Sequence, residues 1–199
     1  MTGDDDRLRW SSLAEAPSWL VVPVPAADDW RDWATILVVS SLGPPDGDAI
    51  GPESAELEEM ATGAVSTLAE FAAGIGPSNR IIAAVGVAGR TPIPVHVAVA
   101  AFDPLAPTDL LAVCGATGGT AMDPPDVEYP EFDSGDALRV TRVDLDSDGV
   151  AWASIVLALR TELADVVLTW RTTDLALLPL MPDVLDELIG TIHVQEEHT

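Results

Sequence analysis

Residues 137–145, 149–160 and 165–172 form three successive apolar-rich runs, with polar positions interleaved in the first and continuous apolar stretches at 155–159 and 166–168 in the other two. A period of two places alternate side chains on opposite faces of a strand. Turn formers separate the runs, Asp146-Ser147-Asp148-Gly149 first and residues 161–164 second. The pattern predicts an antiparallel three-stranded meander. Beyond it Val184, Leu185, Leu188, Ile189 and Ile192 recur at helical spacing, which predicts an amphipathic helix over 182–194.

Upstream, Leu57, Met60, Ala61, Ala64, Val65, Leu68, Ala69, Phe71 and Ala72 follow mostly three- and four-residue spacing. They predict a helix over 53–73, with Glu53, Glu56, Glu58 and Glu59 near its positive dipole end and Gly74-Ile75-Gly76-Pro77 as its stop. Branched apolar runs predict strands over 33–41, 80–88 and 93–102, the last two joined as a hairpin through Gly89-Arg90-Thr91-Pro92. Residues 19–25, with two prolines, suit an edge strand. Residues 28–32 read as a turn or one helical turn, 43–52 as a loop, 107–113 as a short helix capped by Thr108 or Asp109, and 115–125 as irregular. Strands and helices are grouped and do not alternate as βαβ units. The expected class is therefore α+β, an antiparallel sheet with helices packed on its faces. Residues 1–9 read as an acidic flexible tail and 10–199 as a single domain.

The segment "ALRVTRVDLDSDGVAWASIVLAL", followed by "DVVLTWRTTDLALLPLMPDVLDELIGTI", resembles the PsbP-like superfamily (PsbP and Mog type) in its small bacterial members. Val167-Leu168-Thr169-Trp170-Arg171-Thr172 stands where those proteins carry a V-L-T-F-S-T strand. Leu185-Asp186-Glu187-Leu188-Ile189-Gly190-Thr191 stands at their final F-D-x-I-x-x-T helix, with Leu185 replacing the usual Phe. The resemblance covers about 55 residues. It implies an antiparallel sheet sandwiched by helices (an α/β/α sandwich) and a role in binding partners. It carries no catalytic residues across.

Charge narrows the partners. The chain has 33 acidic and 9 basic side chains, a net charge of −24, and every basic residue is Arg. Scattered arginines cannot displace the counterions of a nucleic acid, so nucleic acid is not an expected ligand. The absence of Lys excludes Schiff-base chemistry and a P-loop Lys. With 48% hydrophobic residues a core is expected despite the charge. No run reaches the length of a membrane helix, and the acidic opening lacks a secretion signal, so a soluble cytoplasmic protein is expected, monomeric or homodimeric. Cys114 is the only cysteine, which excludes an internal disulfide and a thiolate metal cluster.

Three patterns are candidates for chemistry. Asp144, Asp146 and Asp148 followed by Gly149 match the first half of a calcium loop, although position twelve is Ile155 and not Glu. The same residues equally suit a hairpin turn. Cys114-Gly115-Ala116-Thr117-Gly118-Gly119-Thr120 has the look of a nucleophile or phosphate loop, yet lacks Lys and needs a His base such as His96 or His193. Residues 123–148 carry nine acids against Arg139 and Arg142. Asp126, Glu128, Glu131 and Asp133 in that segment, with Trp30 and Trp33, are the expected contacts for a basic partner. Trp152 and Trp170, in neighbouring predicted strands, are expected to pair across the sheet. No catalytic residue and no cofactor is expected. The leading expectation is a non-catalytic interaction module of the adaptor, chaperone or immunity type. The alternative is a small-ligand or calcium binder that uses the sheet–helix crevice or the Asp144–Asp148 turn.

Overall fold

A computed structural model describes residues 8–42, 54–76, 79–87, 89–117 and 122–196. In chain order the elements begin β1 (Leu8–Ser12), β2 (Trp19–Val22), α1 (Asp28–Leu42), α2 (Ser54–Ala73), β3 (Asn79–Ala84), β4 (Ile93–Ala101) and α3 (Leu110–Val113). They continue β5 (Asp126–Glu128), β6 (Glu131–Phe132), β7 (Gly135–Leu145), β8 (Ala151–Arg160), β9 (Ala164–Thr172), α4 (Met181–Gly190) and β10 (Ile192–Glu196). The class is α+β, as expected. Contacts divide the chain into two compact units, residues 14–96 and residues 1–13 with 97–199.

In the unit 14–96, α2 packs on β2 and β3 and against α1. Ala61, Val65, Leu68 and Ala72 line one side of α2 and close a core with Leu20, Val22, Ala34, Val38, Ile81 and Ala83. The predicted strand over 33–41 is corrected here, because it is the body of α1. Ile36, Val38 and Val39 lower helix propensity by only a few tenths of a kcal/mol each. Trp30, Ala34, Leu37 and Val38 at helical spacing face the core, and Asp28 and Asp29 sit in the first turn where the dipole favours them. Burial of that stripe outweighs the local preference for a strand. β2 pairs antiparallel with β3 and ends the strand order, the edge position that its flanking prolines suggest.

In the other unit β9, β8 and β7 form the predicted meander, with β5 and β6 both antiparallel to β7. Cross-strand register assigns the faces. Arg139, Leu157 and Leu168 stand opposite one another, as do Thr141, Ile155 and Trp170. Arg139 reaches Asp186 of α4, so α4 covers this face, through Met181, Leu185, Leu188 and Ile189, all buried. Leu138, Ala158 and Val167 point the other way and cluster with Leu110, Cys114, Ala116 and Val127 around α3. The expected pairing of Trp152 with Trp170 does not form. The two side chains lie on opposite faces, and Trp152 stacks under Arg171 at 4.5 Å.

The predicted helix over 182–194 stops at Gly190, and residues 192–196 form β10. Thr191 ends it: its backbone N–H and its hydroxyl both donate to Leu188 O. β10 then pairs antiparallel with β1, Leu8 opposite Glu196 and Ser12 opposite Ile192. Leu8 and Arg9, expected in the tail, are strand residues.

Candidate functional site

Beside β6 and β7 an open cleft of about 650 Å³ lies in the meander-bearing unit. Asp109, Leu110 and Leu111 form one wall, Tyr129 to Phe132 the other, and Ala137, Leu138 and Arg160 line it between them. Each wall follows from local sequence. Asp109 caps α3, its Oδ1 accepting from the backbone N–H groups of Leu111 at 3.0 Å and Ala112 at 3.4 Å. The opposite wall is the tight β6–β7 hairpin, whose turn is Asp133-Ser134 and in which Phe132 stands opposite Gly135.

The hairpin register places Glu131 directly opposite Asp136. Directly opposed side chains lie on one face with Cβ atoms about 5 Å apart, a separation at which like charges repel. The cleft's one basic side chain is already engaged. Arg160 donates through Nε and Nη2 to the two oxygens of Asp165, both at 2.7 Å, and through Nη2 to the Thr108 carbonyl, also at 2.7 Å. Its guanidinium also lies over the Phe102 ring at 4.8 Å. The hydrogen bond it donates to Asp165 holds Arg160 above its ordinary range, against the effect of desolvation. Asp165 is only 5% exposed, so the pair is a fixed support under the cleft.

The other arginines near these acids are held in the same way. Arg139 is shared by Glu128 at 2.8 Å and Asp186 at 2.9 Å. Arg142 donates to Asp144 at 2.8 Å and to the Gly115 carbonyl at 2.6 Å. Of the expected partner contacts, Glu128 is thus committed to a structural ion pair. Asp126, Glu131 and Asp133 are exposed, and Glu131 alone lines the cleft. Trp30 packs against the core of the other unit, while Trp33 is 47% exposed there. Sequence reading missed Tyr129, Asp136, Arg160 and Asp165. The Glu-Tyr-Pro-Glu run at 128–131, an aromatic set between acids, was the available signal.

The Asp144–Asp148 turn is organised from within. Asp146 Oδ1 accepts from the N–H groups of Asp148 and Val150, each at 2.9 Å, and its Oδ2 accepts from Trp152 Nε1 at 3.1 Å. Among the described residues no group of three His, Cys, Asp or Glu side chains is arranged to hold a metal ion. The N–H of Val150, then the Trp152 indole, hold the Asp146 carboxyl below its ordinary range. A depressed carboxylate contributes stability above its unfolded pKa and loses it as pH falls through the lower folded value. Emission from Trp152, isolated by comparison with Trp152→Phe, is therefore expected to stay constant from neutral pH down to about pH 4 and to change below it. Millimolar calcium is expected to leave both this signal and the Tm unchanged. A calcium-dependent rise in Tm would restore the cation reading of the turn.

Cys114 is buried among Leu138, Val140 and Ala158. Burial pushes its thiol up to about 11, against a weaker opposing hydrogen bond at Ala158. Alkylation of the folded protein at pH 8 is expected to be slower than that of a free cysteine by about two orders of magnitude, and to recover in denaturant. A rate matching free cysteine would show an activated or accessible thiol.

No described helix is long and apolar enough to cross a membrane. Compared with known proteins, the chain matches no family, no curated relative and no solved structure.

Proposed function

We propose that this chain is a non-catalytic protein-interaction module for a basic partner, working as an adaptor, chaperone or immunity-type protein in the cytoplasm. One observation carries the reading. Arg139, Arg142 and Arg160, the arginines near the β5–β6 acids, each bind an internal carboxylate, while Asp126, Glu131, Asp133 and Asp136 stay exposed. A surface of one sign steers an oppositely charged protein and rejects like-charged ones. The aliphatic burial of Cys114 supports a binding role over a nucleophilic one. The resemblance of residues 137–192 to the PsbP-like superfamily is in keeping with such a role.

The test is capture by the purified chain at 50 and 300 mM salt, repeated with Glu131→Arg/Asp136→Arg. A basic protein retained only at low salt, and released by the double charge reversal, is the expected result. Capture of no protein at low salt, or of one indifferent to both salt and variant, would overturn the proposal. The cleft volume also lies within the range of small-molecule sites, which favours a small cationic ligand as the second reading. Calorimetry with such compounds separates the two.

A further inference from the structure

We infer that the cleft beside the β6–β7 hairpin is a docking groove for a short extended segment of that partner, one that presents an arginine next to an aliphatic side chain. The inference rests on the interaction-module reading and adds the place and chemistry of recognition. Two observations meet in this cavity, and a third comes from elsewhere in the same sheet. Its walls are largely apolar and uncovered: Tyr129 is 70% and Leu111 39% exposed, with Leu110, Pro130 and Phe132 half-buried beside them. Exposed aromatic and aliphatic side chains lining a concavity offer an anchor pocket of the kind that dominates binding energy.

The second observation is charge. Glu131 and Asp136 stand directly opposed on the cleft wall; Arg160 stands opposite Asp136 on β8 and attracts it, but its Nε and Nη2 hydrogen bonds go to Asp165. A cation between the two carboxylates relieves their mutual repulsion and gains two charge-assisted hydrogen bonds. The third is a precedent within the same sheet. Arg139 lies between two carboxylates, Glu128 and Asp186, with both contacts under 3 Å. A guanidinium fork spans two acceptors in this way, whereas an ammonium acts as a point charge, so the matching side chain is arginine. The cavity of about 650 Å³ holds a few side chains, as an extended segment presents them. The adjacent apolar surface requires an aliphatic neighbour to the arginine.

The test uses a fluorescently labelled synthetic decapeptide of alternating Arg and Leu, with two control peptides, Arg→Gln and Leu→Gly, titrated into the full chain by anisotropy. Saturable binding that both controls weaken about tenfold or more is expected. Tyr129→Ala is expected to weaken it similarly, and Glu131→Gln/Asp136→Asn to weaken it and flatten its salt dependence. These positions are exposed, so circular dichroism is expected to show unchanged folding. Equal binding of arginine methyl ester and the decapeptide would assign the cleft to a small cation and overturn the inference. So would a dimer in sedimentation that Tyr129→Ala abolishes, which would make a second copy the occupant. If the decapeptide does not bind while captured protein is still released by Glu131→Arg/Asp136→Arg, the groove fails and the interaction module stands. If captured protein ignores that variant, the broader proposal fails.

Discussion

Gly135→Ala is expected to lower the unfolding free energy by roughly 3 kcal/mol or more, in keeping with forced overlap at a fixed backbone. Gly135 opens β7 with φ +156°, opposite Phe132. A Cβ there overlaps the Arg160 carbonyl oxygen and lies 2.9 Å from its carbon and 3.3 Å from Thr161 Cα. All three are backbone atoms, so no rotamer change relieves the contact. Moving them strains the next register pair, Asp136 opposite Arg160, while moving β7 carries β6 and the cleft wall with it. The cleft and the meander are thus expected to loosen together. Chemical denaturation checks this against Gly63→Ala, where an added Cβ meets nothing within 4 Å inside α2. That control is expected to stabilise by up to about 1 kcal/mol. A Gly135→Ala midpoint equal to that of the parent would show that the backbone yields at no cost.

Asp165→Ala is expected to cost about 2–3 kcal/mol, below the full range for breaking a buried pair, because Arg160 retains one-fifth of its side-chain exposure. The loss comes from stranding the guanidinium. It keeps the Thr108 carbonyl and the Phe102 ring but loses both carboxylate contacts. Arg160→Met in the Asp165→Ala background is expected to recover most of that stability, since neither charge is then left unmatched. The single variant also frees a cation beside Glu131 and Asp136, so binding of a basic segment is expected to weaken. A double variant no more stable than Asp165→Ala would place the cost in Asp165 alone.

The meander and α2 were legible in the sequence for different reasons: turn formers at 146–149 and 161–164 cut the apolar strands apart, and Ala61, Val65, Leu68 and Ala72 repeat along a helix and are buried. Residues 33–41 misled because local branching favours a strand, while packing of Ala34 and Val38 favours a helix. Ile192 continued the spacing of Leu188 and Ile189, so β10 was hidden until its partner β1 was known. Strands as short as β5 and β6 carry no readable period. The site was half visible. Glu131 stood out as an acid, but Asp136 joins it only through hairpin register. Nothing in the sequence marked Arg160, whose partners Asp165 and the Thr108 carbonyl are set by strand pairing and a distant loop. The calcium pattern was a turn pattern, because Asp146 has its own N–H donors close at hand.

The pairing of β1 with β10 also sets an order of events during synthesis. Leu8–Ser12 leaves the ribosome among the first segments described, and its partner Ile192–Glu196 among the last. Between them the chain makes the whole unit 14–96, whose core residues are contiguous in sequence and available early. That unit can condense while translation continues, whereas β1 must wait with its backbone N–H and C=O groups unpaired. Closure of so long a loop makes this two-stranded sheet a late, slow step of folding. In the interval, the nascent chain carries an unpaired strand, Leu8-Arg9-Trp10-Ser11-Ser12, open to chaperones or to another copy of itself.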